Sequence, residues 1–181
     1  MYEYIHKVGW YHGYVRSYVV DVFFFGGDKM PGVGLGVMLF NEEGKILLIK
    51  RNDDATKAAS DMHLEGTWTL PAGKIKYGET IFEAAKRKAM QEVNLSIDDL
   101  SIISIADDIN EYAHFITFGI LARMWNGEIN LGDTEEQVAY DWFDIEDLPT
   151  LSSPAKNIID NYLNNTIYRE NDKNEKRKIL Y

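Results

Sequence analysis

Hydrophobic positions along this chain change their period several times, and each period predicts an element. "VGLGVMLF" (Val33 to Phe40) and "KILLIKR" (Lys45 to Arg51) are short and almost continuously apolar, which predicts two strands. "NEEG" lies between them, with Gly44 able to take a positive φ, so the pair predicts a hairpin. After the polar stretch "DDATKAASDMHLEG", "TWTLPAG" predicts a short strand ending at Pro71. From Thr80 the period becomes helical: Phe82, Ala85, Ala89 and Val93 form an apolar stripe. Thr80 and Glu83 make a T-x-x-E capping box at its start, and Asn94 sits where a left-handed cap would end it. "LSIISIADD" and "HFITFGILARMW" predict strands, and "YDWFDIEDLP" a strand running into a turn. "SSPAKNIIDNYLNN" predicts a helix with Ser153 as N-cap and Pro154 as first residue.

The strands follow one another rather than alternating with helices, which points to an α+β fold with a mixed sheet. Three segments are expected: an N-terminal extension over residues 1–30, a main domain over 31–165, and a charged tail over 166–181. The extension is rich in aromatic residues, and Val19 to Phe25 reads as a strand within it.

Composition narrows the picture. Hydrophobic residues make up 45% of the 181, enough for a substantial core. The net charge of −10 argues against a broad basic surface for extended nucleic acid. The absence of cysteine removes disulfides and thiolate metal sites and fits a reducing, cytoplasmic setting. The run Val19 to Phe25 is too short to span a bilayer and Asp21 interrupts it, so no membrane partner is expected.

The chemistry concentrates in "GKIKYGETIFEAAKRKAMQEVNL", Gly73 to Leu95. Glycine, five residues, Glu79, seven residues, Arg87 and then an acidic position at Glu92 resembles the signature of the Nudix hydrolase family, G-x5-E-x7-R-E-U-x-E-E-x-G-U with U aliphatic. Gly73, Glu79, Arg87, Ala89, Glu92 and Leu95 match. Lys88 and Gln91 stand where the family has glutamates, and Asn94 where it has glycine. The resemblance implies a mixed sheet packed between helices, an α/β/α sandwich. It also implies hydrolysis of the pyrophosphate in a nucleoside diphosphate linked to another group, a nucleotide or nucleotide sugar, with Mg²⁺ or Mn²⁺ as cofactor.

In that frame the family's helix face carries three carboxylates that hold the ions, completed by a backbone carbonyl near Ala72, while the arginine orients a glutamate. Here the three positions read Lys88, Gln91 and Glu92 and sum to no net charge. The expected metal ligands shrink to Glu92, Gln91 and Ala72, a weak site for one ion at most. The catalytic set carried over is Glu92, Arg87, Glu79 and, from the segment before a predicted strand, Glu111, with Glu135 and Glu136 as alternatives. Lys88 and Gly73 are expected to meet the substrate. Two readings of Lys88 stand level: an ordinary i, i+4 surface pair with Glu92, or an ammonium in the space a metal would fill. Tyr112 and Phe115 are candidates for stacking on a base; Trp68 and Trp142 are expected in the core. The rival class is an inactive nucleotide-binding or sensor module, with the N-terminal aromatic segment as the interface for a partner or for a homodimer.

Overall fold

The computed structural model describes residues 30–58, 61–132 and 135–168, together with the backbone of two strands nearer the N-terminus. The expected strand Val19–Phe25 and the tail from Arg169 lie outside the described residues. The chain divides into two compact units, Met1–Met30 and Pro31–Tyr181. In the first, β1 (Lys7–Tyr11) and β2 (Tyr14–Tyr18) pair antiparallel from Lys7↔Tyr18 to Tyr11↔Tyr14.

The second unit holds two sheets. β3 (Gly32–Leu39), β6 (Ala72–Lys74), β7 (Ser96–Ile109) and β8 (His114–Asn126) form one, in the order β6-β3-β8-β7; β3 runs parallel to β8 and the other pairs are antiparallel. β4 (Ile46–Arg51), β5 (Trp68–Thr69) and β9 (Gln137–Phe143) form the other, all antiparallel, in the order β5-β4-β9.

The expected hairpin is half right. The turn is there, with the Asn41 and Lys45 backbones bonded and Gly44 at φ 77. Beyond the single bridge Phe40↔Ile46, however, the two strands part into different sheets. Both are buried on both faces, so each needs covering on two sides, and a simple two-strand ladder would not provide that. "TWTLPAG" divides in the same way. Trp68 and Thr69 pair with β4, and after Leu70–Pro71 the chain crosses to pair Ala72 with Gly36 of β3. Pro71 lacks the N–H that would continue the first ladder, and its carbonyl accepts from Val37 N–H at 2.8 Å.

Alternation along β3 and β4 sends side chains to two cores. Leu35, Val37, Leu39, Leu47 and Ile49 pack with Ala84, Ala85, Ala89 and Val93 of α2 (Ile81–Val93). Met38, Ile46 and Leu48 pack with Ala155, Ile158 and Ile159 of α3 (Ser153–Leu163). The sheets therefore lie between helices, as the resemblance implied. The chain lies so close to α3 at Gly119 that a Cβ there would meet Ile158 at 2.6 Å.

α2 keeps the capping box and ends at Asn94 with φ 58, in the left-handed region. Its stripe is corrected at one end: Phe82 is 40% exposed, and Ala84 takes the buried place instead. The α3 cap also shifts by one residue. Ser152 is the N-cap, its hydroxyl accepting from Ala155 N–H and donating to Thr69 Oγ1 at 3.1 Å, which leaves Ser153 inside the helix ahead of Pro154. Trp68 meets Phe143 edge-on at 4.8 Å and Trp142 stacks on Trp125 at 5.6 Å; both are half-buried and pack against the two cores from their margins, short of the expected core position. The polar stretch after β4 contains one short helix, α1 (Ala55–Ala58), started by Asp54 bonding Thr56. No helix among the described residues is long and apolar enough to cross a membrane.

Candidate functional site

β6 and α2 build the site between them. β6 presents the backbone of Ala72, Gly73 and Lys74, and α2 presents Arg87, Lys88, Gln91 and Glu92. Helical periodicity sets these side chains in two pairs one turn apart, Arg87 with Gln91 and Lys88 with Glu92.

Arg87 grips Glu79 with two bonds, Nε to Oε1 at 2.5 Å and Nη2 to Oε2 at 2.8 Å. The same guanidinium donates to the Lys74 carbonyl and to Gln91 Oε1. Lys76 N–H adds a further bond to Glu79. The arginine bonds, then the backbone donor, hold the Glu79 carboxyl down at about 2 from its ordinary 4.5. This clamp ties the loop before α2 to the middle of the helix and so fixes the distance between β6 and α2.

Glu92 is only 8% exposed. Its Oε1 accepts from Lys88 Nζ at 2.9 Å and its Oε2 from Ala72 N–H at 2.8 Å. Burial pushes its carboxyl above the usual range; the Lys88 ammonium, the Ala72 N–H and the nearby Arg51 guanidinium pull the other way. The Lys88 stem lies directly over Gly73, where an added Cβ would sit 1.8 Å from Lys88 Cε. Glycine is required here for close approach.

Two contacts bear on the expected metal set of Glu92, Gln91 and the Ala72 carbonyl, and neither involves that carbonyl. Ala72 meets Glu92 through its N–H, a donor that competes with a metal for the carboxylate oxygen. Gln91 turns to Arg87, so its oxygen is engaged away from Glu92. Among the described residues no group of three or more His, Cys, Asp or Glu is placed to hold an ion. Divalent ions need several converging anionic or carbonyl oxygens, and a bonded ammonium stands at 2.9 Å from the one suitable carboxylate. The residues present do not fit a metal cluster.

Glu111 lies exposed in the turn between β7 and β8 and engages the Tyr112 hydroxyl. The turn's contacts go to the loop before β5: Asn110 Nδ2 donates to the Met62 carbonyl at 2.9 Å and Tyr112 stacks on His63 at 4.1 Å. Phe115 lies beneath Lys74 Nζ, 5.6 Å from its ring centre. Asp107 bonds Tyr168, and Asp108 is buried against Asn157 of α3, away from α2. Glu135 pairs with Lys57 at 3.0 Å. Sequence reasoning missed Arg51, whose guanidinium donates to the Ala58 carbonyl and lies near Glu92. A cation closing the apolar run of β4 was the available signal.

A Nudix arrangement of sheets and helices, with the signature helix laid against β6, is thus in place. The model of the NUDIX domain matches residues 30–162. The chain belongs to the Nudix hydrolase family, whose members generally use divalent metals such as Mg²⁺ or Mn²⁺. An ADP-ribose pyrophosphatase of Methanocaldococcus jannaschii is 28% identical over 127 residues, 69% of each chain. An NAD-capped RNA hydrolase, NudC, of Photorhabdus laumondii is 32% identical over 114 residues, 63% of this chain and 42% of that one. The chain therefore spans under half the length of that relative. Among solved structures, a MutT NUDIX hydrolase from Burkholderia pseudomallei is similar with a TM-score of 0.65 and 27% identity, over 74% of this chain and 98% of that chain.

Proposed function

We propose that the cleft beside α2 binds a nucleoside diphosphate linked to another group, and that the protein hydrolyses its pyrophosphate slowly. Family membership and the ADP-ribose pyrophosphatase relative support the ligand class. The slow rate rests on one observation, the bond from Lys88 Nζ to Glu92 Oε1 at 2.9 Å. Where relatives concentrate carboxylates, this helix face carries an ammonium, an engaged amide and one carboxylate bonded on both oxygens. Little of the electrostatic stabilisation that phosphoryl chemistry depends on remains. Glu111 is a proposed general base on the strength of the resemblance alone.

The test is a substrate panel of nucleoside triphosphates, ADP-ribose, dinucleoside polyphosphates and sugar nucleotides with Mg²⁺ or Mn²⁺, run on the wild type and on Lys88→Glu with Gln91→Glu. A low wild-type rate and a large gain in the double variant are expected. A fast wild type whose rate survives Glu92→Gln contradicts the reading. The rival, a binding module without turnover, draws on the same ion pair. Nucleotide binding with no measurable hydrolysis selects it.

A further inference from the structure

We propose that Lys88 is the resident cation of this cleft: it contacts the pyrophosphate of the ligand directly, and binding needs no divalent metal. This rests on the reading that the cleft takes a nucleoside diphosphate derivative.

Two ion pairs of the same spacing set the scale. Lys156 and Asp160 on α3 are also i, i+4, and their side chains are 62% and 42% exposed. Lys88 and Glu92 are 20% and 10% exposed. The first is a solvated surface pair; the second is packed. Lys88 is seated against the backbone of β6, where a Cβ on Gly73 would come within 2.6 Å of its Nζ. A lysine held in this manner has already lost its rotamer freedom, so a ligand meets a positioned charge.

Donor accounting points the same way. An ammonium has three N–H groups, and the described partner of Lys88 is Glu92 Oε1. Two remain for phosphate oxygens. The side-chain oxygens that would have to hold an ion are spoken for: Glu92 Oε2 by Ala72 N–H, Gln91 Oε1 by Arg87, and Glu79 by Arg87 and Lys76 N–H. Charge agrees as well. Arg51, Arg87 and Lys88 face Glu79 and Glu92, three cations to two carboxylates. On a chain of net charge −10 this is a locally positive spot. It attracts a polyanion and repels a dication.

Calorimetric titration of the full chain with ADP-ribose and with inorganic pyrophosphate, in EDTA and in Mg²⁺, tests the proposal. Affinities in the two buffers should agree within about threefold, and Lys88→Met should weaken both by about tenfold or more, the loss of a charge-assisted bond. Manganese titration followed by electron paramagnetic resonance should leave Mn²⁺ free with the wild type, a measurement that needs no variant. ADP-ribose binding that appears only with Mg²⁺, or Mn²⁺ captured by the wild type through Glu92, overturns the resident-cation proposal and leaves the ligand class standing. Failure of every nucleotide on the panel to bind in either buffer overturns the ligand class, and this proposal with it.

Discussion

Glu79 and Gly73 carry distinct duties at the level of single residues. Glu79 anchors Arg87, and its carboxyl titrates near 2 in the folded chain against an ordinary 4.5. A depressed native value means that the clamp's contribution is complete above the unfolded value and fades as pH falls from 4.5 toward 2. Glu79→Gln should therefore unfold at lower urea than wild type at pH 6, and the two should converge as pH nears the native value. Chemical denaturation across that window reads it directly. Gly73 works by giving way. Gly73→Ala places a methyl 1.8 Å from Lys88 Cε, which forces the lysine off β6. Overpacking of this sort costs about 1–3 kcal/mol. Adding Lys88→Ala should recover the part of the cost that comes from the clash, while the part set by the Gly73 backbone, at φ 159, stays. An additive double variant would show that the lysine does not lie there.

The weight of local chemistry shows at the level of elements. Thr80→Ala removes the side chain that accepts from Glu83 N–H and should cost about 1 kcal/mol in urea unfolding. α2 was legible in the sequence because its signals are local: a capping box at one end, an αL asparagine at the other, and alanines at helical spacing. The candidate site was legible to the same extent, since Glu79, Arg87, Lys88 and Glu92 lie on or next to that helix. What sequence could not convey is where neighbouring strands go. β3 and β4 are apolar on both faces, so their pattern announces burial without naming the sheet, and a good turn between them concealed the divergence. The partner of Gln91 was hidden for a related reason. Helical spacing puts it beside Glu92 and also one turn from Arg87, and only the bond at 3.2 Å decides between them. Phe82 satisfied the stripe by period alone, while the cover it needed lay outside the helix.

Within the second unit, the two sheets and the two longer helices divide the labour. The α2 side carries the ion pairs of Arg87 with Glu79 and of Lys88 with Glu92. On the α3 side, polar groups are tied inward: Asn161 bonds Ser104 at 2.8 Å and Asn157 bonds Asp108 at 2.7 Å. Asp108 is almost wholly buried there, and that burial raises its carboxyl above the ordinary range. The net charge of −10 leaves no broad basic surface of the kind that extended nucleic acid favours.

The fastening continues past α3. Ile167 and Tyr168, which the sequence grouped with the tail, run beside β7: the Ile167 carbonyl accepts from Ile105 N–H at 2.7 Å and Tyr168 OH reaches Asp107 at 2.8 Å. These few residues act as a hem that closes the outer margin of the large sheet. A chain shortened to end at Asn165 would leave that margin open, with a bare amide ready to pair with a neighbouring molecule. Such a shortened protein should melt earlier and scatter more light on standing than one ending after Tyr168.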